Sequence, residues 1–118
     1  MVIREEIRCE NLGIIYADIK LINPKNMNLA PLEVSAMADS GALHLCIPEH
    51  VAMQFGLEEL EKREVSIADG SKKKVSYVGP VEIKYQNRSC FKGALILGDE
   101  VLLGAIPMED MDLILQPS

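Results

Sequence analysis

The chain has 118 residues, of which 48% are hydrophobic, and a formal net charge of -6. A chain of this length forms one ordinary domain, and that apolar fraction supplies a core without disulfides, so we expect residues 1–118 to form a single domain. The acidic balance argues against nucleic acid or an anionic membrane surface as a partner, because both are polyanions that select faces rich in Lys and Arg.

The cysteine content indicates the redox environment of the protein. Cys9, Cys46 and Cys90 occur without a C-x-x-C spacing. Their odd number fits neither a disulfide framework nor a typical zinc motif, and it favours a reducing environment. The first residues contain no apolar signal-peptide core, and no apolar run is long enough to span a bilayer. We therefore expect a cytoplasmic protein without a membrane partner.

The first half of the chain predicts an antiparallel hairpin, a short third strand and a helix. The strands are predicted at 13–22, 32–38 and 42–47, and the helix from Pro48 to Gly56. The turn pair Asn23-Pro24 separates the first two β-branched runs. Pro48 and Glu49 favour a helix start, because the missing N–H would be unpaired there and the acid faces the positive end of the helix dipole.

The second half predicts an exposed hairpin, three further strands, a second helix and a last strand. The strands are predicted at 65–68, 74–78, 81–85, 91–97, 101–103 and 113–115, with the helix starting at Pro107. Asp69-Gly70 supplies the positive φ angles of a tight turn, and the following lysines, Lys72 to Lys74, indicate a solvated hairpin tip. The predicted elements are mainly β, with one or two short helices.

Asp39 is the most unusual local feature, because it is a charged residue within the apolar segment 36–42. A carboxylate at the mouth of a buried strand is costly unless it is hydrogen-bonded or paired, which favours a functional role. The alternative is a turn aspartate in a generic antiparallel β domain, whose carboxylate accepts backbone N–H groups in an Asx turn.

Four separate segments resemble the retropepsin-like, clan AA aspartic peptidases, in particular the bacterial single-domain type. They are Met37–Ala42, Leu45–Leu57, Ala68–Gly70 and Leu102–Glu109. The first is similar to the family's apolar residues followed by Asp-Thr/Ser-Gly-Ala. The others are similar to its following strand and helix, its flap turn, and its apolar-apolar-Gly element with a second helix. The resemblance extends from about Leu32 to Leu115.

This resemblance implies a closed β-barrel of the acid-protease fold and an aspartic endopeptidase activity. Such hydrolysis needs two carboxylates sharing one proton, one activating water and the other polarising the carbonyl. The sequence contains one Asp-Ser/Thr-Gly triplet, so Asp39 would meet Asp39 of a second copy across a two-fold axis. The implied partners are a polypeptide substrate and a second copy of the chain, and no cofactor is implied.

The resemblance also implies roles for the residues around the catalytic Asp39. Those at the active-site loop would lock or tighten it, a second group would form a flap over substrate, and a third would support the loop from below. They are Ser40, Gly41 and Ala42 in the loop, Asp69, Gly70 and Ser71 in the flap, and Leu102, Leu103 and Gly104 in the supporting core. The lysine-bearing flap tip departs from the glycine-rich, apolar tip of the retroviral enzymes.

The chief alternative is a catalytically inactive dimer of the same fold that acts as a binding or regulatory module. Two further readings depend on His44, Cys46 and His50. As a zinc site they lack a clear fourth ligand and the usual spacing, so no metal is expected. A cysteine nucleophile with His50 as its base would lack an orienting partner and an oxyanion element.

Overall fold

The computed structural model describes residues 5–8, 15–66 and 69–116, and this part of the chain is mainly β, as predicted. Its strands are β1 Glu5–Arg8, β2 Ile15–Ile22, β3 Leu32–Ala38, β4 Leu45–Ile47, β5 Glu58–Ser66, β6 Lys72–Tyr85, β7 Arg88–Ile96, β8 Leu102–Leu103 and β9 Leu113–Gln116, and its helices are α1 Glu49–Gln54 and α2 Ala105–Asp110. Neither of these two helices is long and apolar enough to cross a membrane.

Six strands close into a barrel. Their order is β2-β3-β8-β4-β7-β6, and β6 pairs back with β2. The predicted hairpin of β2 and β3 is confirmed. In contrast, β3 pairs with β8 and β4 pairs with β7 in parallel. Buried and exposed residues alternate along β2, as expected for a strand with one face on the core.

β5 lies outside the barrel and is longer than predicted. Among the described residues it pairs with β6 alone, from Glu58 opposite Gly79 to Ser66 opposite Lys72. Its first half is a run of charged residues that hides the strand pattern in the sequence. Charges of this kind suit an edge strand, because they discourage pairing with other chains.

The β5–β6 hairpin turns an apolar face toward the barrel. Val65, Val75 and Tyr77 from the hairpin pack with residues of β4, β7 and β8 in a second hydrophobic cluster, separate from the barrel core. The strands predicted at 74–78 and 81–85 are a single strand, β6, in which the register shifts between Val78 and Val81.

Several predicted boundaries are shifted. The first helix begins at Glu49, one residue later than predicted, and Pro48 is its extended N-cap. The strand predicted at 42–47 is confined to β4, because the residues before Leu45 bond to the start of α2 instead of to a neighbouring strand. The helix α2 begins at Ala105, so Pro107 lies inside its first turn. Backbone N–H groups in the first turn have no partner within the helix, so proline costs no hydrogen bond there. Gly56 follows α1 with a φ of +59°, consistent with its predicted role as the stop.

Candidate active site

Asp39 follows β3 directly, and β8 holds its backbone. The Asp39 N–H donates to the Leu103 carbonyl at 3.0 Å, and the Met37 N–H donates to the Val101 carbonyl at 3.0 Å. Ala38 and Leu103 are opposite each other in this parallel pair, and both are buried. The apolar β3–β8 pair therefore fixes the point at which Asp39 leaves the sheet.

The Asp39 carboxylate is exposed in the single chain, so the burial cost inferred from its apolar surroundings does not arise there. Its Oδ1 accepts a hydrogen bond from the Gly41 N–H at 2.8 Å, and the Ala42 N–H donates to the Asp39 carbonyl at 3.2 Å. This is the Asx turn that the sequence offered as the alternative. The turn orients the carboxylate, and no described residue donates a hydrogen bond to its other oxygen, Oδ2.

Gly41 permits the close approach of the Asp39 carboxylate to the backbone. A Cβ atom built on Gly41 would lie 3.2 Å from Asp39 Oδ1, a tighter distance than ordinary van der Waals contact. The side chain of Ser40, between these two residues, is also exposed. The absence of a side chain at Gly41 thus leaves room for the carboxylate in this position.

Residues 39–44, which we call the active-site loop, rest on the start of α2. The Ala105 N–H donates to the Ala42 carbonyl at 2.8 Å. A Cβ atom at Gly104 would lie 2.4 Å from the His44 carbonyl oxygen, so the loop backbone passes directly against Gly104. Of the three residues expected below the loop, Leu103 and Gly104 contact it. Leu102 packs partly in the second hydrophobic cluster.

Asp69, Gly70 and Ser71 form the tip of the β5–β6 hairpin. Asp69 Oδ1 accepts hydrogen bonds from the Ser71 N–H at 2.8 Å and from the Ser71 hydroxyl at 2.6 Å, and these bonds lower the pKa of Asp69. Gly70 has a φ of +86°. Among the described residues, the pair nearest the tip is Ser66 opposite Lys72. Residues 67–68 lie outside the described part.

Three side chains that pack together at the base of this hairpin were not predicted from the sequence. The Arg63 guanidinium carbon lies 3.7 Å from the centroid of the Tyr77 ring. The His44 ring meets Tyr77 edge-on, with 6.5 Å between the ring centroids. Burial, followed by the charge of Arg63, lowers the pKa of His44. Extension of the predicted hairpin beyond Val65 would have placed Arg63 near Tyr77, but nothing local in the sequence adds His44.

The described cysteines and histidines do not form a second reactive centre. Cys46 and Cys90 are buried free thiols, and burial raises the pKa of Cys46 and raises that of Cys90 to about 11. A thiol with a raised pKa is a poor nucleophile at neutral pH. Among the described residues, no three His, Cys, Asp or Glu side chains group together as metal ligands.

A shallow depression adjoins the active-site loop on the side of α2 and β9. Its volume is about 210 Å³, and its lining is mostly apolar apart from Ser40 and Glu109. The lining residues are Ser40, Ala105, Met108, Glu109, Leu113, Ile114 and Leu115. Ser40 thus lies where the active-site loop meets an accessible apolar surface.

Comparison with solved structures finds related folds at low sequence identity. The simian foamy virus (mac) protease is 18% identical, with a TM-score of 0.56 over 80% of this chain and 91% of that one. A retropepsin-like aspartic protease from Rickettsia conorii is 20% identical, with a TM-score of 0.51 over 82% and 78%. A Legionella pneumophila protein of unknown function is 17% identical, with a TM-score of 0.50 over 86% and 89%.

No protein-family model and no curated protein matches the sequence. The similarity to the solved structures extends over most of the chain, and the closed six-stranded barrel is consistent with the retropepsin-like fold. Identities this low establish the architecture and leave the activity to be argued from the site. The chain therefore has the retropepsin-like fold that its sequence motifs predicted.

Proposed function

We propose that the chain is an aspartic endopeptidase whose catalytic unit is a homodimer, with Asp39 of each copy supplying one carboxylate. The observation that carries this proposal is the Asp39 carboxylate itself. It is exposed directly after a barrel strand of a retropepsin-like fold, and the Gly41 N–H orients it at 2.8 Å. A carboxylate so placed can face a second carboxylate and a substrate.

The chemistry of peptide hydrolysis explains why two copies are needed. In the dimer, the ionised Asp39 would remove a proton from a water molecule as that water attacks the scissile carbonyl carbon. The neutral Asp39 of the other copy would donate its proton to the carbonyl oxygen. The chain contains one Asp-Ser-Gly triplet, so the second carboxylate of this kind must come from another copy.

The terminal strands support a dimer on the Ser40 side of the molecule. β1 and β9 pair in parallel, from Glu5 opposite Leu113 to Arg8 opposite Gln116, as a two-stranded sheet apart from the barrel in the described structure. A two-stranded sheet is marginally stable by itself, so added strands would stabilise it. A second copy on this side would also cover the apolar depression beside Ser40.

The proposal is tested with Asp39→Asn, which keeps the size of the side chain and removes its acid–base chemistry. Asp99→Asn is a matched control, because Asp99 is an exposed aspartate in the turn before β8. Hydrolysis of an unstructured protein substrate is measured from mildly acidic to neutral pH. We expect the wild type and Asp99→Asn to cleave the substrate and Asp39→Asn to be inactive.

Mixing wild-type and Asp39→Asn chains tests the shared dyad. If both carboxylates are required and the subunits exchange freely, an equal mixture retains about one quarter of its dimers with two aspartates. We expect activity to fall to that fraction of the fully wild-type dimer. Unchanged hydrolysis by Asp39→Asn, or a chain that stays monomeric at every concentration while cleaving, contradicts the proposal. A dimer that binds peptides without cleaving them supports the binding module.

A further inference from the structure

The group formed by His44, Arg63 and Tyr77 joins three separate parts of the fold. His44 belongs to the active-site loop, Arg63 to β5 and Tyr77 to β6. Tyr77 lies opposite Leu95 of β7, at one end of the β6–β7 pairing. Residues of β6 closer to the tip pair with β5 alone in the described structure. Tyr77 therefore marks the base from which the hairpin extends.

The Tyr77 ring is fixed on the barrel by Gly93 of β7. The Gly93 N–H donates to the Tyr77 hydroxyl oxygen at 3.2 Å. A Cβ atom at Gly93 would lie 2.2 Å from the ring carbon that bears the hydroxyl, so the ring rests directly on the β7 backbone. Tyr77 is thus a fixed surface against which His44 and Arg63 both pack.

Arg63 places a positive charge on that surface. Its guanidinium lies over the Tyr77 ring at 3.7 Å, which is the geometry of a cation–π contact. Its Nε donates to Glu61 Oε1 at 2.8 Å, and 35% of the Arg63 side chain is exposed. Because His44 packs against the same ring, a proton gained by His44 places a second positive charge beside Arg63.

We propose that His44 is a pH-sensitive positioning residue that couples the active-site loop to the β5–β6 hairpin. The neutral His44 ring holds the hairpin base through Tyr77. Protonation of His44 releases the hairpin, first because a charged ring is costly to bury there and second because Arg63 repels it. This coupling concerns the motion of the hairpin, and it holds whether or not the chain cleaves peptides. In a peptidase, the same release would open the flap.

The direction of the pH effect follows from the groups around His44. Burial is the larger cause of its lowered pKa and the Arg63 charge is the second. Within the described part of the chain, the other titratable groups around His44 and Arg63 are Tyr77, the Cys46 thiol and Glu61, which pairs with Arg63. Because the pKa of His44 is lowered when the hairpin is closed, the closed form binds fewer protons than the open form. Closure is therefore fully favoured above the ordinary histidine pKa of about 6.5, and it weakens as the pH falls from there through the lowered pKa of the closed form.

Amide hydrogen exchange of the full-length chain tests the coupling. The two histidines of the sequence allow a matched comparison, because His50 lies exposed on α1. Protection factors, corrected for intrinsic exchange, are compared at about pH 7.5 and about pH 5.5 for hairpin amides and, as reference, β2–β3 amides. In the wild type and His50→Gln, we expect hairpin protection to fall severalfold at the lower pH while the reference is unchanged.

His44→Phe keeps a ring against Tyr77 and cannot be protonated, so we expect the pH dependence of hairpin protection to disappear. Arg63→Gln provides a second measurement, because loss of the charge should raise the NMR titration midpoint of the His44 ring. Wild-type protection that does not change with pH overturns the proposal, as does an equal fall in His44→Phe. If His44→Phe does not fold, the Arg63→Gln titration decides, and an unchanged midpoint overturns the proposal.

Discussion

The substitution Gly104→Ala tests how the active-site loop is supported. Gly104 precedes α2 with φ -86° and ψ -176°, an extended conformation that alanine adopts readily. If backbone freedom alone mattered, alanine would stabilise the chain by about 0.4–1 kcal/mol, because it restricts the unfolded state. The contacts around Gly104 reverse this expectation.

A Cβ atom at position 104 would lie 2.4 Å from the His44 carbonyl oxygen and 2.6 Å from the Leu43 carbonyl carbon. Ordinary carbon contacts lie near 3.5–4.0 Å, so the loop and α2 must separate by about 1 Å. Both neighbours are backbone atoms, so no rotamer change relieves the overlap. Overpacking costs about 1–3 kcal/mol, and disturbance of the Ala105 to Ala42 hydrogen bond adds about 1 kcal/mol. After the gain from the unfolded state is subtracted, we expect a net loss of about 1–3.5 kcal/mol.

Urea unfolding at a fixed protein concentration measures this loss, and the fixed concentration is needed because dimerisation would contribute to apparent stability. Gly56→Ala is the control, because no atom lies within 4 Å of a Cβ there and only its φ of +59° is unfavourable. That conformation costs about 1–2 kcal/mol. A Gly104→Ala variant as stable as the wild type would refute the close packing of Gly104 beneath the loop.

Two further predictions concern the carboxylate and a buried amide. In Gly41→Ala, the new Cβ would press on Asp39 Oδ1 at 3.2 Å, so we expect kcat/KM for peptide cleavage to fall by about tenfold with little change in unfolding. An unchanged kcat/KM would contradict the role of the close approach. Asn23 is buried and donates to the Phe55 carbonyl at 2.9 Å, so Asn23→Ala should lower the free energy of unfolding by about 1–3 kcal/mol. Asn28→Ala, at an exposed site in the same loop, should leave stability within about 0.5 kcal/mol, and equal losses at both positions would show that the buried hydrogen bond adds nothing.

Local signals in the sequence predicted the parts of the fold that depend on near neighbours. The alternation of β2, the turn at Asn23 and the stop at Gly56 each depend on the conformational preferences of a few adjacent residues. The order of short motifs around Asp39 was enough to predict a retropepsin-like fold, which the structure confirms. The Asx turn was also foreseen, because the Asp39 carboxylate and the Gly41 N–H are two residues apart.

Pairing partners distant in sequence could not be predicted in this way. The charged strand β5 is stable as a strand because β6 pairs along it, and no local pattern within β5 shows this. Exposure of the Asp39 carboxylate likewise depends on where β8 and α2 hold the loop, whereas the sequence shows only its apolar surroundings. Burial is a property of the whole packed chain.

The sequence by itself determined the β-rich fold, its turns and the residue that carries the proposed chemistry. The tertiary structure decided how that residue is held: Leu103 bonds to the Asp39 backbone, and Gly104 lies against the loop. It also brought His44 and Tyr77 together from the loop and the hairpin. The physical reason is the separation of the residues along the sequence. Turn and strand preferences act between adjacent residues, whereas these contacts join distant residues and exist only once the barrel has closed.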